Sequence, residues 1–207
     1  MNINTIVSIS GQIIMLFTAL TSLFIALFGE SVKAKIQRPK LIISVKNRKG
    51  VQTYDSSSQS PVRFYHLNVS NVGKIVAHNS YVALKKVSEE SNGVMRDLWE
   101  GTVSLNWMNV RNEEKETRDI GATSYDCDFV CIFPNALKFA LVMVPNNFHN
   151  QYNEPVNLKV VLQVLSDEAQ SDEVIVNVNW DGKWDSGETE MGRHCVVEMV
   201  NEHAKIK

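Results

Sequence analysis

Residues 1–29 contain no charged side chain. Within them, Ile6 to Phe28 is an apolar stretch whose second half, from Ile13, is almost entirely Ile, Leu, Phe, Met and Ala. As a helix rising 1.5 Å per residue it would reach about 34 Å, enough for a hydrocarbon core of about 30 Å. A core helix of a water-soluble domain would carry a polar, charged face, and this stretch carries none. The pattern predicts a transmembrane helix over 6–28 after a short tail, 1–5. A cleaved leader fits less well, because it wants a basic start, a shorter apolar run and a small-x-small cleavage site.

Charge then changes abruptly. Residues 30–50 hold seven basic side chains against Glu30, and residues 51–207 hold 14 basic and 22 acidic ones. Basic flanks stay on the cytoplasmic side, so the expected topology is a cell membrane single-pass protein, N-terminus outside and C-terminal domain cytoplasmic. Lys33, Lys35, Arg38 and Lys40 are membrane-surface candidates, able to meet anionic headgroups from the linker 29–39. Inside the stretch, Ser8, Gly11, Gln12, Thr18, Ser22 and Ala26 recur at spacings near three and four. Small and polar residues on one helix face permit close helix packing, so self-association is one expectation. Such residues are also ordinary in membrane helices, and both readings stand.

After residue 40 the hydrophobic period becomes two. Tyr65, Leu67 and Val69 form one alternating row; Leu137, Phe139, Leu141 and Met143 a second; Val156 to Val164 a third; Val174 to Trp180 a fourth. The prolines fall between apolar runs, and Asn71-Val72-Gly73 and Pro145-Asn146-Asn147 are turn chemistry. The expectation is eight or nine strands in a β-sandwich over 40–207, with loops at 49–61 and 145–155 and no helix of useful length. The segment Tyr65–Leu84, with Asn71, Gly73 and Ala77 placed between two alternating runs, resembles immunoglobulin-like domains of the CARDB type. That resemblance implies an immunoglobulin-like sandwich and no chemistry.

No catalytic constellation stands out. Cys127, Cys131 and Cys195 are odd in number, which argues against a full disulfide framework and suits a reducing compartment. Cys127 and Cys131 are expected to share a core face with Phe129 and Phe133. A zinc site from the three cysteines and His194 lacks close ligand pairs. Asp181 to Glu188 resembles a calcium loop but has Lys183 at the third position and Ser186 for the turn glycine. No phosphate-cradling glycine loop or nucleophile elbow is present, so no cofactor is expected and the chain reads as a non-enzyme. The domain is acidic, which disfavours nucleic acid. Lys85, Lys86, Arg63 and His66 leave a small anion open as a ligand. Trp180, Asp181, Lys183, Trp184 and Asp185 form the candidate partner contact, because exposed aromatics in loops mark binding surfaces. The functional expectation is a binding or scaffold module at the membrane. The alternative is an oligomeric effector triggered by a ligand such as a nucleotide.

Overall fold

The alternating rows assemble into two antiparallel sheets in a computed structural model that describes residues 14–29, 38–55, 59–108 and 116–200. The strands are β1 (Leu41–Val45), β2 (Val51–Tyr54), β3 (Pro61–Asn71), β4 (Ala77–Ser91), β5 (Val94–Ser104), β6 (Arg118–Ile120), β7 (Tyr125–Phe133), β8 (Ala136–Phe139), β9 (Gln151–Tyr152), β10 (Val156–Leu165), β11 (Val174–Trp180) and β12 (Cys195–Met199). One sheet runs β1-β3-β7-β8-β9, with β2 also beside β3. The other runs β12-β11-β10-β4-β5, with β6 beside β4. A single hydrophobic cluster draws on both sheets, from Tyr65, Leu67 and Phe129 on one to Val160, Val176 and Val197 on the other. This is a β-sandwich. Its strongest alternation, Val156 to Val164 on β10, is buried at every second residue because β10 lies inside its sheet with one face on the core.

Residues 14–29 are helical (α1) and form part of a unit separate from the sandwich, which begins at Pro39. Residues 6–13 of the expected span lie outside the described residues. The described helix covers about 24 Å, shorter than the expected span. Among the described residues no helix is long and apolar enough to cross a membrane.

Several local expectations are corrected. The segment expected as loop 49–61 contains β2, an edge strand paired with Pro61–Phe64. Its mostly exposed side chains gave it no apolar alternation. Strand β5 runs unbroken through Gly101, and its pairing with β4 slips between Leu84 and Lys86. A Cβ on Gly101 would lie 2.5 Å from the Trp99 indole, so the ring requires glycine there. Beyond β5 the chain changes sheets, with Leu105 bridging Leu141 and Trp107 bridging Cys127. The expected strand 137–144 stops at Phe139; Leu141 is still buried, but Met143 is exposed. A short helix, α2 (Glu188–His194), lies where only a loop was expected.

The cysteine face also differs. The β3–β7 register shifts between Tyr65 and His66, so Phe129 is an extra residue on β7. This bulge puts Cys127 opposite Leu67 and Val130 opposite Tyr65 in the core, and turns Cys131 outward beside Phe64. Cys127 and Cys131 therefore lie on opposite faces of the sheet.

Candidate functional site

Strand β3 carries a row of inward residues at every second position: Arg63, Tyr65, Leu67, Val69 and Asn71. All five are buried. The middle three are core. The two ends are polar, and each organises one end of the sandwich.

Asn71 closes the end where the chain enters the domain. Its amide nitrogen donates to the carbonyls of Ile75 (2.7 Å) and Ile120 (3.0 Å), and its oxygen accepts from the backbone N–H groups of Lys40 (3.0 Å) and Gly73 (2.8 Å). One side chain thus ties β1, the turn 72–76 and β6 together. The Asn-x-Gly element is a structural staple.

Arg63 closes the opposite end. Its guanidinium donates to Lys49 O (3.1 Å), Gln52 Oε1 (3.1 Å) and Ser186 O (2.9 Å). Its Nε has no hydrogen-bond partner. A cavity of about 300 Å³ beside it is lined by Asn47, Gly50, Val51, Gln52, Ser186 and Glu188. Arg63 therefore holds the β1–β2 turn and the 181–187 loop by their carbonyl oxygens. Gly50 sits over it with φ +67°, and a Cβ there would come within 2.8 Å of Arg63 Cγ.

That 181–187 loop contains the expected partner contact, and its residues divide sharply. Trp180 is 2% exposed, and its indole donates to Lys183 O (2.8 Å), so it is a core residue and not a contact. Trp184 is half-buried against the core. Asp181 accepts from Lys183 N (3.0 Å) and pairs with His194 Nδ1 (2.8 Å). Asp185 accepts from Gly187 N (2.6 Å). Burial pushes the Asp181 carboxyl up, but the His194 and Lys183 hydrogen bonds outweigh it and hold the group below the usual carboxylate range. Both carboxylates are committed to shaping the loop. Lys183 remains exposed, and with the open part of Trp184 it is what the loop offers a partner.

The thiols are free and buried. Burial pushes Cys131 and Cys195 up to about 12 and also holds Cys127 well above its ordinary value. A nucleophile needs its thiolate near neutral pH, so none of the three is poised for catalysis. Among the described residues no group of three or more His, Cys, Asp and Glu side chains is arranged to hold a metal.

The anion candidates are not brought together. Arg63 points into the core, and His66 to the outer face, 2.9 Å from Asp128. Lys86 pairs with Asp97 at 2.7 Å and Lys85 donates to Thr102. The cavity of about 580 Å³ that both line also contains Glu100 and Glu173, which cancel the field an anion would need.

Near the Asn71 end, His78 Nδ1 lies 2.9 Å from Asp119, whose other oxygen accepts from Asn79 N. The hydrogen bond to Asp119 is the main cause that raises the His78 pKa, with Glu168 and Asp167 adding to it. The folded value therefore lies above about 6.5: with Asp119 ionised, the contribution of His78 to stability is complete below about 6.5 and lost as pH rises through the folded value. Asp119→Asn is expected to lower the His78 titration midpoint by NMR; an unchanged midpoint would show that Asp119 is not the cause.

Of the helix-face candidates, Thr18, Ser22 and Ala26 are described and exposed, while Ser8, Gly11 and Gln12 lie outside the described residues. Thr18 returns its hydroxyl to Ile14 O at 2.9 Å. Ile14, Phe17, Thr18, Thr21 and Ser22 line a notch of about 440 Å³ on the helix. Among the membrane-surface candidates Arg38 and Lys40 are exposed, while Lys33 and Lys35 lie outside the described residues.

Sequence comparison adds no relative: no family model matches the chain, and no match is found among curated proteins.

Proposed function

We propose that this chain is a single-pass, membrane-anchored β-sandwich that acts as a binding or scaffold module on the cytoplasmic side. The observation that carries this reading is the helix at 14–29. It has no charged side chain, and ten of its large apolar residues, Ile14 to Phe28, are 49–75% exposed. An uncharged helix that exposes this much apolar surface, with its Thr18 and Thr21 hydroxyls returned to its own backbone, favours an apolar environment, which a bilayer supplies. The uncharged sequence 6–28 is long enough to span one. The Lys/Arg excess in 30–50 and the free thiols both favour the cytoplasmic side for the domain. The sandwich itself offers surface more than chemistry: His66, His78 and His194 pair with Asp128, Asp119 and Asp181, and its thiols are buried. The Asn71 turn also supports kinship with immunoglobulin-like domains of the CARDB type, a likeness of fold and not of activity.

The helix notch favours self-association of the anchor, which would make the module oligomeric. A ligand-triggered effector is the second reading. In its favour stands Arg63, a buried cation beside a cavity, with its Nε still free to donate.

Alkaline carbonate extraction tests the anchor. The full chain should stay with the membrane pellet, and protease added to intact cells should spare the domain until the membrane is opened. Release into the supernatant would overturn the anchor. Digestion in intact cells would reverse the topology.

A further inference from the structure

Three apolar side chains stand exposed in the turn after β3: Val72, Ile75 and Val76, with Lys74 between them. The turn is not loose. Asn71 holds it through Ile75 O and Gly73 N, and Val72 N donates to Lys40 O at 2.9 Å. Lys40 is where the chain enters the sandwich, so this apolar tip is hydrogen-bonded to the very residue that follows the linker.

A second exposed apolar tip exists. Val94 and Met95 follow the β4–β5 turn and are 67% and 45% exposed. Composition does not separate the two tips, but position does. Strand β4 begins at Ala77, beside the first tip, and ends at Ser91, beside the second. Fourteen residue steps of about 3.3 Å put them about 45 Å apart. The linker 29–39 can extend at most about 40 Å. The Val72 tip can therefore always reach a bilayer that holds the anchor, whereas the Val94 tip reaches it only if the domain lies over on its side or inverts.

We propose that the Val72–Val76 turn is a lipid-docking tip, which inserts Val72, Ile75 and Val76 into the headgroup and upper acyl region of the membrane that holds the anchor. This rests on the anchor reading above. Lys74, with Lys40, meets the lipid phosphates. Asp119, Asp167 and Glu168 lie at the same end, but they are engaged around His78 and Asn79, with Asp119 bonded to the imidazole and Asp167 accepting from Asn79 Nδ2. Their charge offsets the nearby basic groups, so apolar insertion is the main attraction and anionic lipid only adds to it. Docking would fix the orientation of the sandwich and point the Arg63 end, with the 181–187 loop, away from the bilayer.

The buried native thiols leave introduced surface cysteines as the labelled ones. Full-length Ile75→Cys and Met95→Cys proteins, each carrying an environment-sensitive NBD fluorophore, are reconstituted into phosphatidylcholine vesicles containing nitroxide-labelled lipid, with and without phosphatidylglycerol. The probe at 75 should be blue-shifted and quenched several-fold more than the probe at 95 in both vesicles, and Lys74→Glu should weaken quenching mainly with phosphatidylglycerol present. Equal quenching at both positions overturns the docking tip. So does a blue shift at 75 without lipid quenching, which would mean burial against protein, including a second copy. Carbonate extraction of the same vesicles separates the two readings: an integral chain with an unquenched 75 probe rejects the tip alone, and an extracted chain rejects both.

Discussion

Asn71→Asp is expected to destabilise the sandwich by about 3–4 kcal/mol, although it changes one nitrogen to oxygen. The native amide donates to two carbonyls, of Ile75 and Ile120, from a side chain that is 7% exposed. A carboxylate there faces both carbonyl oxygens with no donor, and each lost bond at a buried site costs about 1–3 kcal/mol. Burial raises the folded pKa of the introduced acid above its unfolded value of about 3.9. The penalty therefore grows as pH rises from about 4 toward the folded pKa, and shrinks on acidification, when the neutral acid can again donate one bond. Urea unfolding at pH 7 and pH 4 measures both effects. Asn71→Ala, which loses all four bonds but adds no charge, should fall between the wild type and Asn71→Asp at pH 7. Parity of Asn71→Asp with Asn71→Ala at both pH values would mean that the site is wetter than its exposure indicates.

Much of the sandwich was legible because its central strands face the core on one side only. Val156 to Val164 and Val174 to Trp180 are neighbours in the sheet, paired from Val156 opposite Trp180 to Leu162 opposite Val174. In such strands, alternation in sequence is alternation in burial. The reading broke where backbone geometry departs from strict period two. The extra residue Phe129 sets Cys127 and Cys131 on opposite faces, and no side chain announces a bulge. Strand β2 was hidden because an exposed edge strand needs no apolar row.

The candidate site was misread at Trp180 for a related reason. Trp180 is the last member of the inward row Val174, Val176, Val178, so its phase already placed it in the core. The same phase would have found both polar ends of β3. Arg63 and Asn71 each stand two residues beyond the row Tyr65, Leu67, Val69, and period two sends them inward. A polar residue in phase with an apolar row must find partners or destabilise the fold, so each marks a place where loop backbone closes over the core. Helix α1 reads differently again: its composition, not its period, carries the information.

Arg63→Ala is expected to cost about 4 kcal/mol and to loosen one end of the domain selectively. It removes charge-assisted hydrogen bonds to Lys49 O, Gln52 Oε1 and Ser186 O, and empties the space its aliphatic stem fills beneath Gly50. The bond to Ser186 O joins residues 123 apart in the chain, so it is lost as a tertiary restraint and not merely as a local turn. Hydrogen exchange should quicken in residues 46–50 and 181–187 while protection near Asn71, at the other end of β3, stays as it was. Arg63→Lys should fail to rescue, because an ammonium is a point charge without the planar fork that reaches separate acceptors at once. Should Arg63→Ala not fold, Gln52→Ala removes a single acceptor and should show a smaller effect confined to the same end. Full rescue by lysine would mean that charge alone matters there. The cavity beside Arg63 would then read as the seat of a counter-anion, and the effector reading would gain over the scaffold.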